Sequence, residues 1–176
     1  LLRAVFETAK TYGEAKARLE QTPVARPVIY TLVGCERGER CVIERTEDGF
    51  QTRDDDTTAA NNWIRASWLW EARVSSEMLL TRSYEEAAEN SRTRREQLAG
   101  WPGQFASADF EWVTKPVLNS NTRIAVEMCP ALGKLRAVGY ELVDGRELPE
   151  PVTTICEVSA VAGAPIAART DAGQVR

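Results

Sequence analysis

The chain has 176 residues, 43% of them hydrophobic and 27% charged, enough for one ordinary domain with its own apolar core. A formal charge of -4 and a pI near 5.1, with Lys and Arg dispersed along the sequence, exclude the basic footprint of a nucleic-acid binder. No run approaches the roughly 18 apolar residues of a membrane span, and no basic stretch followed by an apolar one opens the chain, so a soluble protein is expected.

The first residues, Leu1-Leu-Arg-Ala-Val-Phe6, already carry helical periodicity and predict a helix to Ala9, as if the chain started inside an element of something longer. Thr11-Tyr-Gly-Glu14 has the form of a capping box and predicts a second helix, with Leu19 on its apolar face. Arg26-Pro27 breaks that pattern, and the β-branched and aromatic run Val28–Val33 predicts a buried strand. A polar turn over Gly34–Glu39, a strand over Arg40–Thr46, an Asp-Gly turn at Glu47–Gly49 and a strand over Phe50–Arg53 complete an antiparallel meander. Asp54-Asp-Asp56 lacks the register of a calcium loop and predicts a solvated turn.

Thr57–Trp63 is expected to return as a strand ending in Asn61-Asn62-Trp63, and the stretch from Trp68 to Leu80 has no clear pattern. Ser83-Tyr-Glu-Glu86 is a second capping box, opening a charged helix over Glu85–Leu98 that Gly100, Pro102 and Gly103 stop. A short helix over Ser107–Val113 is expected before Pro116. Thr122–Cys129 alternates, with Ile124, Val126 and Met128 on one face, and pairs through Pro130–Gly133 with Lys134–Leu142. Val152–Val161 offers one more strand, and the last residues are Ala-, Gly- and Thr-rich, as a disordered tail would be. The whole is an α+β pattern: one domain over residues 1–142, then an extra strand and tail over 143–176.

The four cysteines, at 35, 41, 129 and 156, have no C-x-x-C spacing, and the chain has no histidine. That argues against a zinc site and removes every mechanism in which imidazole is the base within this chain. Buried, reduced thiols are the expected state, with a Cys35–Cys41 cross-strand bridge as the alternative. A reducing compartment follows, and the excess of Arg over Lys points to a bacterial cytoplasm. No cofactor is called for.

Three segments in order carry a resemblance: Cys41-Val-Ile-Glu-Arg-Thr46 leading to Ala59-Ala-Asn-Asn-Trp63, then Ser91-Arg92, then Thr114-Lys-Pro-Val-Leu-Asn119. Together with Thr11-Tyr-Gly-Glu-Ala-Lys16 they resemble the C-terminal half of the nucleophilic subunit of the acid ceramidase and N-acylethanolamine acid amidase family, over Leu1 to about Leu142. These are N-terminal-nucleophile (Ntn) amide hydrolases, related to the choloylglycine hydrolases, with a four-layer αββα sandwich. The resemblance implies half of such a sandwich. It also implies an autoproteolytically exposed N-terminal cysteine, here upstream of Leu1 on a partner segment or subunit, whose α-amino group is the base. That fits a chain without histidine, because an α-amino group titrates near neutrality.

By the same resemblance Asn62 supplies an oxyanion donor, with Asn61 as the fallback because Asn stands where the family has Thr. Arg92 organises the site, with Arg94 and Arg95 read as solvated partners of Glu85, Glu86 or Glu89. Trp63, Trp68 and Trp70 stand where the family builds its acyl-chain entrance, though core packing accounts for tryptophans equally simply. Thr114–Asn119 is expected to turn the chain toward the last hairpin. The expected activity is hydrolysis of a linear N-acyl amide through a thioester, the chain alone being inactive. The alternatives are a non-catalytic relative used for binding or assembly, and acyl transfer of the penicillin acyltransferase type.

Overall fold

The computed structural model describes residues 1–65, 83–103, 105, 106 and 109–160. Helix α1 (Leu2–Thr8) is followed by α2 (Tyr12–Gln21), whose cap Thr11 accepts a hydrogen bond from the Glu14 N–H at 3.1 Å. The reciprocal bond of the expected box is displaced: the Glu14 carboxylate accepts from the Lys10 N–H at 2.9 Å, one residue earlier, while also meeting Arg18. Val5, Ala15 and Leu19 face inward from these helices and pack on Leu32, Cys41 and Ile43, forming the first core.

That core belongs to an antiparallel sheet of β1 (Val28–Val33), β2 (Arg40–Arg45) and β3 (Phe50–Arg53), in the order β1-β2-β3. The register sets Leu32 opposite Cys41 and Tyr30 opposite Ile43, which puts all four on the helix-covered face. Strand β2 is central, and every residue from Cys41 to Arg45 is buried. Its other face therefore carries Val42 and Glu44 inward under the chain that follows β3.

On that face lies a buried ion pair. Arg53 donates to Glu44 Oε1 at 3.2 Å, with side chains 1% and 0% exposed. The remaining lone pairs and N–H groups are not idle. Glu44 accepts the backbone N–H groups of Ile64 and Arg65, each at 2.9 Å, while Arg53 donates to the carbonyls of Asp56 and Thr58. One charge pair thus fixes the path of residues 54–65 across the sheet.

The expected strand over Thr57–Trp63 does not form. Only Asn62 makes an isolated bridge, because the Thr58 carbonyl is committed to Arg53, and the Asn61 N–H to a side chain described below. The aspartate run is a turn, but more than a solvated one. Asp54 meets Lys16 at 3.1 Å, Asp55 meets Arg65 at 2.7 Å and Asp56 meets Arg95 at 2.6 Å.

Helix α3 (Tyr84–Gly100) opens with the complete capping box: Glu86 N–H to Ser83 Oγ at 3.2 Å, and Ser83 N–H to Glu86 Oε2 at 2.8 Å. The segment read as a short helix over Ser107–Val113 consists, where described, of turns, closed by Val113 N–H on the Phe110 carbonyl. Beyond it β4 (Ile124–Cys129) and β5 (Lys134–Glu141) form the predicted hairpin through Pro130–Leu132, with Gly133 in the left-handed region (φ 60°). The other edge of β5 takes β6 (Glu150–Pro151) and then β7 (Cys156–Ser159), both antiparallel.

The second sheet has a core separate from the first. Phe110, Val113, Ala125, Val138 and Tyr140 pack together, and Arg136 lies 5.5 Å over the Phe110 ring while pairing with Asp109 at 2.7 Å and Glu127 at 3.2 Å. The single core expected from length is thus two, joined through α3, the 54–65 segment and the 110–122 turns. The opposite face of the second sheet is apolar and open to solvent: Ile124, Met128 and Val158 are 62%, 68% and 55% exposed, with Val126, Leu135 and Ala137 between them by register.

All four cysteines are free, and the Cys35–Cys41 bridge is not formed. Cys41 is buried, Cys129 half-buried, and Cys35 and Cys156 exposed, so the expectation of four buried thiols holds for Cys41 alone. No helix among the described residues is long and apolar enough to cross a membrane.

Glu44→Ala would leave the Arg53 guanidinium buried and deprive the Ile64 and Arg65 N–H groups of their acceptor. A loss of about 3–5 kcal/mol is expected in urea unfolding at neutral pH; a loss below about 1 kcal/mol would refute the organising role of the pair.

Candidate functional site

Asn61-Asn62-Trp63 is held from two sides. Behind it, Glu44 and Arg53 pin the flanking backbone. In front, Ser91, 2% exposed in the middle of α3, accepts the Asn61 N–H on its Oγ at 2.9 Å. Arg95, one turn further, reaches Asp56 at 2.6 Å, so α3 is tied to the 54–65 segment at two points.

The Asn62 side chain is half-buried. Its Oδ1 is buried without a hydrogen-bond partner, and the carboxamide makes no hydrogen bond to any described residue. A buried acceptor left unpaired costs about 1–3 kcal/mol, which a ligand N–H or O–H reaching this oxygen would recover. Trp63 beside it is half-buried; Trp68 and Trp70 lie outside the described residues.

Asn61 opens onto a cavity of about 590 Å³ between α3 and the turns before β4. Arg94 and Asn90 enter from the helix; Lys115, Asn119 and Asn121 enter from the turns, and Glu147 from the chain after β5. The Thr114–Asn119 segment does turn the chain: the Asn119 carboxamide accepts the Asn121 N–H at 3.0 Å and donates to the Val117 carbonyl at 3.1 Å. The Lys115–Pro116 peptide is cis. A second cavity of about 370 Å³ shares Asn121 and Thr122 with the first and is otherwise mostly apolar, walled by Trp112, Val113, Val117, Ile124 and Ala125.

The arginines of α3 separate by face. Arg92 is exposed and pairs with Glu89 on the helix surface, away from Asn62. Arg95 turns to Asp56 and Arg94 to the cavity, so the expectation that these two pair with glutamates of their own helix fails. Arg94 Nε donates to the Asn90 carbonyl at 3.4 Å, and no described carboxylate reaches its guanidinium. Burial pulls its pKa below the usual arginine value. Sequence reasoning missed Arg94 and the carboxamides around it. The signal was there in Ala87, Ser91 and Arg94, whose spacing places all three on one face of a helix.

No thiol of the described residues lines either cavity, and burial pushes the Cys41 thiol up, the reverse of an activated nucleophile. Among the described residues no cluster of His, Cys, Asp and Glu is placed to hold a metal ion. No family model, curated protein or solved structure matches this chain.

Asp56 links the site to pH. Burial alone would raise its pKa, but two hydrogen bonds from Thr58 and the charges of Arg53 and Arg95 prevail and hold it below the usual carboxylate range. A depressed folded-state pKa stabilises above the unfolded value of about 3.9, and that stability is lost as pH falls toward the folded value. Asp56→Asn is therefore expected to lower the urea midpoint at pH 7, with the deficit shrinking as pH falls below the unfolded value of about 3.9 toward the folded one. A deficit that stays constant over that range would assign the loss to packing.

Proposed function

We propose that this chain is the C-terminal portion of a cysteine Ntn hydrolase that cleaves a linear N-acyl amide. The observation that carries the reading is the Asn62 carboxamide. It sits on a segment fixed by a buried ion pair and by Ser91, next to the Asn61 that lines the cavity, and its Nδ2–H groups make no hydrogen bond to a described residue. Groups that must meet an oxyanion are held rigid and left unpaired until the substrate arrives. The apolar open face of the second sheet supports the reading as well, since a sandwich packs such a face against an opposing layer.

The chemistry follows from the resemblance. The thiol of an N-terminal cysteine upstream of Leu1 gives its proton to its own α-amino group, and the thiolate adds to the amide carbonyl. The carbonyl π electrons move to oxygen, where Asn62 Nδ2–H donates to the developing charge. Collapse breaks the C–N bond, the ammonium proton leaves with the amine, and a thioester remains. Water, deprotonated by the same amine, releases the carboxylic acid and regenerates the thiol. Arg92 is the arginine the resemblance singles out for organising the site, but Arg94 has the better position to do so, because it faces the cavity that Asn61 opens onto.

The solvent-facing Arg92–Glu89 pair favours the second reading, a non-catalytic relative that keeps the fold for binding. Intact-mass spectrometry of the full gene product after reaction with a thiol-directed acyl-amide mimic separates the two. One adduct on a newly exposed N-terminal cysteine of a copurifying upstream segment is expected; an unprocessed, unlabelled protein would overturn the hydrolase reading. In the processed, unreacted enzyme, Asn62→Ala is expected to lower kcat by about 10²–10³ with KM little changed, and an unaltered kcat would remove Asn62 from the oxyanion site.

A further inference from the structure

The main cavity is an unusual place for a neutral ligand. Of the side chains that line it, Arg94 and Lys115 are cations that meet no described carboxylate, and Asn61, Asn90, Asn119 and Asn121 add carboxamides. Glu147 is the one acid on the wall. A guanidinium drawn partly out of water without a counter-ion is costly, and its planar fork matches a carboxylate in a bidentate contact. The ammonium of Lys115 adds charge without demanding geometry. Glu147 and the carboxamide oxygens can accept from an N–H on the same ligand. The cavity abutting at Asn121 and Thr122 is more apolar, with Trp112, Val113, Val117, Ile124 and Ala125 on its wall beside Arg123, whose guanidinium donates to the Ser120 and Thr122 carbonyls. Polar and apolar volumes side by side, sharing two residues, fit a ligand with a charged end and a hydrocarbon end.

We infer that the larger cavity is a carboxylate site, gripping through Arg94 and Lys115 the amino-acid half of an N-acyl amino acid whose acyl chain lies in the cleft lined by Trp112 and Val117. Carboxylate binding stands on the cavity alone; the assignment of that half as the leaving amine of a scissile amide rests on the amidase reading.

The test is calorimetric titration of the 176-residue chain with three probes: N-octanoylglycine, N-octanoylethanolamine and N-acetylglycine. The first has both ends, the second replaces the carboxylate by a hydroxymethyl group, and the third lacks the chain. N-octanoylglycine is expected to bind about tenfold or more tightly than either of the others, with an affinity that weakens as salt rises. Arg94→Gln and Lys115→Gln should each erase most of the preference over the ethanolamide, while Arg3→Gln, an equal charge change on exposed α1, leaves it intact. Equal affinity for the glycine conjugate and the ethanolamide would overturn the proposal on the unmodified chain, whatever the folding of the variants. So would a preference that survives both cavity substitutions. The two readings fail separately. Selective binding of N-octanoylglycine in a protein with no reactive N-terminal cysteine would end the amidase reading and keep the carboxylate site. Turnover of the ethanolamide by the processed, unreacted enzyme at the same kcat/KM as the glycine conjugate would do the reverse.

Discussion

The arrangement depends first on the Glu44–Arg53 pair. Two opposite charges in the interior cost several kcal/mol each in lost hydration, and only a fully bonded arrangement recovers that. Here every bond made in recovery is also a positional constraint. Glu44 can be satisfied only if the Ile64 and Arg65 N–H groups come to it, and Arg53 only if the Asp56 and Thr58 carbonyls do. An apolar pair would fill the same space and leave residues 54–65 free to take other paths. The pair accordingly specifies where Asn61 and Asn62 stand, and the sheet beneath supplies the rigidity.

Helix α3 extends that specification. Among the described residues its attachments are polar: Ser91 to the Asn61 backbone, Arg95 to Asp56, Gln97 to Thr114 at 2.6 Å. Polar ties are directional, so the helix is fixed in rotation about its axis as well as in place. Rotation decides which side chain enters the cavity. With Ser91 turned to Asn61, Arg94 comes inward and Arg92 outward.

That geometry marks the limit of what the sequence alone could tell. The meander from Val28 to Arg53, the helix with a complete capping box at Ser83 and the hairpin through Pro130–Gly133 were legible because each rests on local rules of period, capping and turn chemistry. Thr57–Trp63 was misread as a strand because its β-compatible residues are bound to Arg53 and Ser91 instead of to a neighbouring strand. No local rule reports a tie across 30 positions. The alternation of Thr122–Cys129 was visible, but which side is covered was not: Ala125 faces the core while the larger Ile124 and Met128 face solvent. Volume favours the opposite choice; the inner face carries Arg136, whose burial is offset by Glu127, Asp109 and the Phe110 ring.

The same reasoning bears on substrate choice. A pocket meant for an uncharged headgroup gains nothing from a partly dehydrated guanidinium such as that of Arg94, whose lost hydration a neutral ligand does not return. Arg92 is met by Glu89 three residues before it, but Arg94 has no carboxylate three or four residues away on its own helix. It is instead rotated toward a wall of carboxamides that bring donors and acceptors but no neutralising charge. Electrostatic complementarity of this kind contributes selectivity more than affinity: it penalises a ligand without a carboxylate by leaving the cations unpaired, as well as rewarding one that has it.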